Sequence, residues 1–513
     1  MTGSQMIEKD RKDITRDLLL CNRCGGCRSV CPVYDVIREE WGGSRGKVEV
    51  AEAFFRGEEI ADRELLRVFD LCLHCMACEE SCPSGMRADE IVLAVRTEMA
   101  KRGLMPWAKK VVLKLLGSMD SVAFRIMRAF GISRKGRLQG YGTRSPVGFL
   151  YPLLGWSSKR SFPLPRAKAF LGNNPELFPA TKLDGILPEE SGADEILLSA
   201  VRAARARNIE KKTRVLYFIG DSINHFFPEE AESVVWVLNL IGIDVIVPVD
   251  QACCGAPFFY SGDIDSARKA AVDVVECLSA HEYKWIITSC SSGGKMLKSE
   301  YPRLFDLNDD GFFKVEWDEK SEVFYRNDDA PGSIRPQAEK LRRAGEGYLE
   351  KVEGKVRDIN ELLAIELIDK HNTDSEGREK DAGKLPVVTY HHPCHLGRGQ
   401  GVKRQPEALL ELLPGYRYVE MPDADRCCGG GGFFTFVHDD ISSKVGSVKA
   451  DAIAAVQPDV VATACPVCRI QLMDIISRRA EGNVESQMPL KSGISVTSPP
   501  ELLASELHRI IAG

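Results

Sequence analysis

Residues 21–32 read C-N-R-C-G-G-C-R-S-V-C-P and residues 72–83 read C-L-H-C-M-A-C-E-E-S-C-P, so the pattern C-x2-C-x2-C-x3-C-P occurs twice near the start of the chain. Three thiols two residues apart can wrap one face of an iron-sulfur cube, while the fourth, followed by proline, turns away to reach the other cube. By that rule Cys21, Cys24, Cys27 and Cys82 hold one cubane [4Fe-4S] cluster, and Cys72, Cys75, Cys78 and Cys31 hold the second. Zinc also takes four thiolates, but its sites draw on two C-x2-C pairs and do not need a complete four-cysteine run closed by proline in each half. The repeated run therefore predicts a small N-terminal domain organised around metal, in a chain that carries electrons.

A chain of 513 residues exceeds a single core and implies about two to four domains, and 44% hydrophobic with 28% charged residues is ordinary for a soluble globular protein. The 17 cysteines fall almost wholly in ligand-like groups, and the start, M-T-G-S-Q-M-I-E-K-D-R-K-D, has no apolar core of a secretory signal. The expected compartment is the reducing cytoplasm, where thiols persist. The longest apolar stretch, Val234 to Val249, is broken by Asn239, Gly242 and Asp244 and reads as a buried helix running into a strand, not as a membrane span.

Net charge is only −6, yet residues 101–170 hold 15 Lys or Arg against one acid, Asp120. Within this stretch Trp107, Val111 and Leu115 recur every four residues beside Val112 and Leu116, while Lys110 and Lys114 share another face. A basic amphipathic helix can lie on an anionic membrane or dock on an acidic partner; the alternative is the solvated surface of a connecting region. Nucleic acid is not an expected partner, because no recognition motif accompanies the charge.

The C-terminal half carries a duplication in which one copy has lost ligands. The later copy runs from V-V-T-Y-H-H-P-C-H-L-G-R through R-C-C-G-G-G-G to V-V-A-T-A-C-P-V-C, with Cys394, Cys427, Cys428, Cys465 and Cys468. The earlier runs from V-L-Y-F-I-G-D-S through A-C-C-G-A-P to W-I-I-T-S-C-S-S-G, with Asp221, Cys253, Cys254, Cys290 and Gly293 at the matching places. The steps are 32, 1, 36 and 3 in the earlier copy and 33, 1, 37 and 3 in the later, which argues for internal duplication. Short β-rich runs alternate with helical ones in each copy, predicting parallel strands with crossover helices and cysteines at strand ends, where open α/β sheets place ligand sites. The four glycines after Cys428 would let backbone approach a bulky inorganic group. Between the copies, a helix is expected around Ala338 to Val352, a capped helix over D-I-N-E-L-L-A-I-E-L and a mobile loop over H-N-T-D-S-E-G-R-E-K-D-A-G-K.

The later copy matches the pattern of the cysteine-rich CCG domain, C-x(31-39)-C-C-x(35-36)-C-x2-C, with 32 and 36 intervening residues. With the N-terminal motif, the chain resembles the iron-sulfur subunits of glycolate oxidase, anaerobic glycerol-3-phosphate dehydrogenase and lactate-oxidising systems, and the catalytic subunits of heterodisulfide reductases and their sulfite-reduction relatives. The resemblance implies an α-helical dicluster ferredoxin domain followed by two duplicated α/β cysteine-rich domains. The expected organisation is 1–100 for the helical ferredoxin domain, 101–212 for a basic connecting region, 213–326 for the first, degenerate copy, 327–385 for a charged insertion and helix, and 386–513 for the complete copy.

It further implies a non-cubane [4Fe-4S] cluster on Cys394, Cys427, Cys428, Cys465 and Cys468, which would also be the catalytic group if the chain is itself an enzyme. In the first copy, Cys253, Cys254, Cys290 and Asp221 could hold zinc or a lesser iron centre, or could be metal-free. Cys277 has no partner at motif spacing and reads as core; His391, His392 and His395 flank Cys394 as hydrogen-bond donors to a cluster or as structural residues.

Two functions follow. One is an electron-transfer subunit working between a flavoprotein dehydrogenase of a small hydroxy acid or related metabolite and a quinone or other carrier, with a membrane quinone-reactive or cytochrome subunit as further partner. W-G-G-S-R-G-K after the first cysteine run looks like the glycolate-oxidase and glycerol-phosphate branch. No flavin or nicotinamide fingerprint is visible, which would leave substrate oxidation to another subunit. The other is reduction of a disulfide or trisulfide at the non-cubane cluster. Peripheral attachment to the inner face of the cell membrane, through a partner and through 101–170, belongs to the first reading.

Overall fold

Both cysteine runs impose the same uncommon backbone. Arg23 and Gly25 in the first run, and His74 and Met76 at the matching places in the second, have φ of 57°, 80°, 47° and 59°. A left-handed non-glycine residue costs on the order of 1 kcal/mol or more, and it recurs at matching places in the two runs. After Cys31 the chain enters a helix, Pro32–Ile37, with proline at its first position and the Cys31 sulfur accepting from the Tyr34 amide at 3.5 Å. The computed structural model describes residues 14–116, 166, 168–188, 195–305, 315–318, 323–326, 335–368, 385–480, 482 and 488–512.

Around these turns pack the helices Ile14–Leu20, Ser44–Phe55, Asp62–Phe69 and Ala88–Lys101. Ala88–Lys101 is buried on nearly every side, including Asp89, Arg96 and Thr97. Its burial follows from its place: Val48, Leu65, Phe69, Ile91 and Val95 share one core with Phe258, Ala271 and Tyr301 of the first cysteine-rich copy.

That copy is built on a sheet. β1 (Leu177–Phe178), β2 (Arg214–Tyr217), β3 (Asp244–Ile246) and β4 (Trp285–Thr288) are followed by a two-stranded antiparallel ribbon, β5 (Val315–Asp318) with β6 (Val323–Arg326), and then by β7 (Val356–Asp358). The sheet order is β1-β3-β2-β4-β7, parallel except for β1 at the edge. The second sheet holds β8 (Val387–His391), β9 (Arg417–Tyr418), β10 (Val460–Thr463) and β11 (Ser495–Thr497) in the order β11-β10-β8-β9, all parallel. Matched strand for strand, β3-β2-β4-β7 and β9-β8-β10-β11 are the same arrangement, so the duplication read from cysteine spacing extends to the sheets.

The two copies meet in a pseudo-two-fold manner. Helix Pro228–Leu240, after β2, packs on Pro499–Ala512, after β11; reciprocally, Gln405–Leu412 packs on Ile359–Leu367, after β7. Val215, Tyr217 and Ile359 of one copy and Val388, Tyr390 and Leu409 of the other are buried in a single shared core. β7 and the helix after it thus carry the first copy's sheet past residue 326, into the stretch read as an insertion. The helix expected around 338–352 spans Arg335–Gly347 and continues through the wider turn Tyr348–Val352. The polar run 371–384 lies outside the described residues.

Most of the basic stretch, 117–165, also lies outside them, but its first helix, Trp107–Leu116, is described. Leu113 is buried, and Lys109 turns inward to pair with Asp70 at 3.4 Å, whereas Trp107 and Val111 are 65% and 44% exposed. The face carrying Trp107 and Val111, expected to be the apolar docking face, points to solvent because Leu113 and the Lys109–Asp70 pair occupy the side against the protein. Among the described residues, no helix is long and apolar enough to cross a membrane.

Candidate metal centres

None of the 17 cysteines is in a disulfide, and all but Cys277 fall into four neighbouring sets. In the outermost, Cys27 sits with Cys21 and Cys24 beside the Arg45 backbone amide. Cys24 is exposed, while Cys21, Cys27 and Cys82 are half-buried. The turn Gly26–Arg28 packs against helix Ala77–Glu80, which brings the chain to Cys82.

The second set surrounds an internal cavity lined by Cys31, Cys72, Cys75 and Cys78 together with Ser44, Lys47, His74 and Asp89. Cys31 comes from the first run and the other three from the second, the crossed combination that the C-P spacing predicts. Burial pushes the Cys72 thiol up to about 11, although Arg96 and Lys47 nearby favour its thiolate. Four sulfur donors around one buried cavity suit a thiolate-bound soft metal centre and not a hard cation.

The third set belongs to the complete copy. β8 leads to Cys394 at the start of helix Cys394–Gln400, and β10 leads to Cys465 and Cys468 at the start of Pro466–Ala480. Cys427 and Cys428 lie on the loop between. Cys427, Cys428, Cys465 and Cys468 are buried and Cys394 is half-buried. Contacts run Cys394 to Cys427, Cys427 to Cys428, Cys428 to Cys468 and Cys468 to Cys465. Hydrogen bonds from Cys427 and Cys468 pull the Cys428 thiol well down despite its burial. His391 adds a nitrogen: it, Cys428 and Cys468 each bring one ligand atom to within 4.8 Å of the others. The imidazole is 1% exposed, and neither ring nitrogen completes a hydrogen bond among the described residues, although the Ala424 carbonyl lies nearby. A buried orphan imidazole beside five thiols fits a bound inorganic centre that supplies the missing partner.

The other two histidines have hydrogen-bond partners away from the thiols. His392 Nε2 lies 3.0 Å from Glu407, which also accepts from Tyr418 (3.0 Å) and Arg404 (2.9 Å). Burial alone would raise the Glu407 carboxyl, yet these donors hold it at about 2. His395 donates from Nε2 to the His74 carbonyl at 3.0 Å and accepts at Nδ1 from the Ser292 hydroxyl at 3.0 Å. Burial pushes it down to about 4 and keeps it neutral. Sequence adjacency to Cys394 could not reveal that its partners belong to the dicluster domain and the first copy.

In the fourth set, Cys253 contacts Cys254 and lies beside the Asp221 carboxylate. Cys290 stands apart from them. Its closest thiol is Cys465 of the other copy, with Cys254 further off, so two cysteines at equivalent positions meet across the pseudo-two-fold. A Cβ built at Gly293, where the complete copy has Cys468, would meet only ordinary contacts, the nearest being Cys290 Cβ at 3.6 Å. The first copy has lost the ligand there without the space closing. Cys277, read as core, is buried and also donates to Asp250 at 3.4 Å.

The sets are joined as well as adjacent. Cys75 of the second set lies against Cys427 of the third, and Cys465 of the third against Cys290 of the fourth. In the glycine run, the Gly429 amide donates to the Cys427 sulfur at 3.5 Å. Gly431, at φ +55°, faces Leu73 of the dicluster region at 2.5 Å from where a Cβ would stand, so its bareness admits a neighbouring unit.

The family description "4Fe-4S dicluster domain" matches residues 17–86, and "Cysteine-rich domain" matches 215–298 and 388–473. The chain therefore carries a dicluster domain followed by two cysteine-rich domains, an order that its relatives share over most of their length. Among relatives, it is 26% identical over 470 residues to the probable glycolate oxidase iron-sulfur subunit of Bacillus subtilis, covering 90% of each chain. It is 24% identical to a dihydromethanophenazine:CoB--CoM heterodisulfide reductase subunit of Methanosarcina acetivorans, covering 92% of this chain and 90% of the relative. To the glycolate oxidase iron-sulfur subunit of Escherichia coli it is 22% identical, covering 91% and 94%.

Proposed function

We propose that this chain is the iron-sulfur electron-transfer subunit of a respiratory oxidoreductase complex, working between a flavoprotein dehydrogenase of a small hydroxy acid or related metabolite and a quinone or other carrier. The observation that carries the reading is the line of thiols from exposed Cys24 through the Cys31, Cys72, Cys75 and Cys78 cavity to Cys427, Cys465 and Cys290. In this reading Cys21, Cys24, Cys27 and Cys82 hold one cubane cluster, Cys31, Cys72, Cys75 and Cys78 the other, and Cys394, Cys427, Cys428, Cys465 and Cys468 a third centre. Such clusters, when bound, supply one-electron storage. The protein contributes the soft donors, buries Cys75 and four of the five thiols of the third set, and holds neighbouring sets close together. Exposed Trp107 and Val111 beside exposed Lys110 offer a membrane or partner contact at the edge of the dicluster domain.

The reading is tested by reducing the anaerobically purified chain with its flavoprotein neighbour and the hydroxy acid. Cluster signals should appear only when both are present. Reduction by a dithiol alone, with none by the flavoprotein, would instead favour disulfide or trisulfide reduction at the third centre, a reading supported by the five thiols and orphan His391 gathered there.

A further inference from the structure

The G-G-S-R-G-K stretch at residues 42–47 touches both of the N-terminal thiol sets, and resemblance assigns it no role. Helix Ser44–Phe55 begins within it, so the positive end of the helix lies between the sets. Gly46 makes the approach possible: a Cβ there would stand 2.1 Å from the Glu40 carbonyl oxygen. The Arg45 backbone amide lies beside Cys27 of the outer set, while Ser44 and Lys47 line the inner cavity with Cys31, Cys72, Cys75 and Cys78.

Lys47 is 3% exposed. Its ammonium donates to the Gly42 carbonyl and to that of Trp41 at 3.3 Å, which anchors it among uncharged groups. Ser44, 6% exposed, lines the same cavity, and its hydroxyl close to Cys78 favours the thiolate there. Arg96 approaches from the opposite element, donating to the carbonyls of Cys72 and Asp70 at 3.1 Å each. The outer set has cations too, but Arg23 is exposed to water and salt, and Arg28 and Arg45, half-buried, are each paired with the Glu40 carboxylate at 2.8 Å.

We propose that Lys47, supported by Ser44, tunes the inner cubane of the electron-transfer reading, raising its reduction potential so that the inner site is the preferred electron acceptor of the pair. Reduction adds one electron and changes no bond, leaving a thiolate-bound cluster with one more negative charge. A buried cation a short distance away favours that more negative state, and low polarity leaves the attraction unscreened. Lys47 is a positioning residue for charge; it ligates nothing.

The test is a mediated redox titration of the anaerobically purified full chain followed by electron paramagnetic resonance, with iron counted per chain. Cys24→Ser identifies the outer cubane signal by altering it. Lys47→Met should keep the iron content, move the inner midpoint to lower potential and leave the outer unmoved; Lys47→Arg should restore it. An unmoved inner midpoint in Lys47→Met overturns the inference while leaving the electron-transfer reading intact. If Lys47→Met loses iron, Ser44→Ala decides: a lowered inner midpoint supports the proposal and an unmoved one overturns it. Wild type showing fewer than two cubane signals would overturn the reading itself, and this inference with it.

Discussion

His395 joins three parts of the chain through one neutral ring, with His74 of the dicluster region on one nitrogen and Ser292 of the first copy on the other. Replacing it with alanine strands a buried carbonyl and hydroxyl, a loss of about 1–3 kcal/mol. His395→Ala should therefore sensitise the dicluster region to limited proteolysis while each thiol set stays present. Among the cysteines, contact and not repeat membership should govern the outcome of substitution. Cys427→Ser is expected to erase the spectroscopic signature of the third centre, Cys290→Ser to perturb that same signature through Cys465, and Cys253→Ser to leave it unchanged. If Cys253→Ser and Cys427→Ser abolish one common signal, the five-thiol assignment is wrong.

Helix Ile359–Leu367 illustrates how a short element is held. Asp358 ends β7 and caps the helix, its Oδ1 accepting from the Asn360 amide at 2.9 Å and from the Asn360 side chain at 2.8 Å. Burial pushes its carboxyl up to about 6, against the lowering effect of those bonds. The folded chain then binds more protons than the unfolded chain between about pH 4 and pH 6, so this stabilising contribution is present below about pH 4 and lost as pH rises through 6. Asp358→Asn keeps the cap and should flatten that pH dependence in thermal unfolding, whereas Asp358→Ala should cost about 1 kcal/mol by losing the cap. Helix Trp107–Leu116 makes the opposite point, since periodicity marked an apolar face but could not say that Lys109 would be drawn inward by Asp70.

The dicluster region is not independent of the rest. Arg303 of the first copy reaches both carboxylate oxygens of Glu90 at 2.9 and 2.5 Å, and the two regions share one core through Ile91, Val95, Phe258 and Tyr301. Cys75, Leu73 and Phe434 form a further buried contact with the second copy. A fragment ending at residue 100 would expose these surfaces. It is predicted to bind fewer than the roughly eight irons two cubanes require, and to aggregate, whereas the full chain binds them. Full iron loading of a soluble fragment would show that the interfaces contribute little.

The gathering of thiols was legible in the sequence, because cysteines that share one group must recur at spacings set by that group's geometry. The runs at 21–32 and 72–83 and the Cys394 to Cys468 series announce their donors in one dimension, and the steps 32, 1, 36, 3 reveal the duplicated copy even where Asp221 and Gly293 replace thiols. The alternation of apolar strand and helix likewise predicts two parallel sheets. What sequence could not reach were contacts between residues far apart in the chain. Cys75 beside Cys427, Cys290 beside Cys465, the His395 clamp and the burial of Lys47 depend on how separately folded units meet. Local spacing constrains a residue's neighbours within a turn or a strand, while packing decides which distant surface removes it from water.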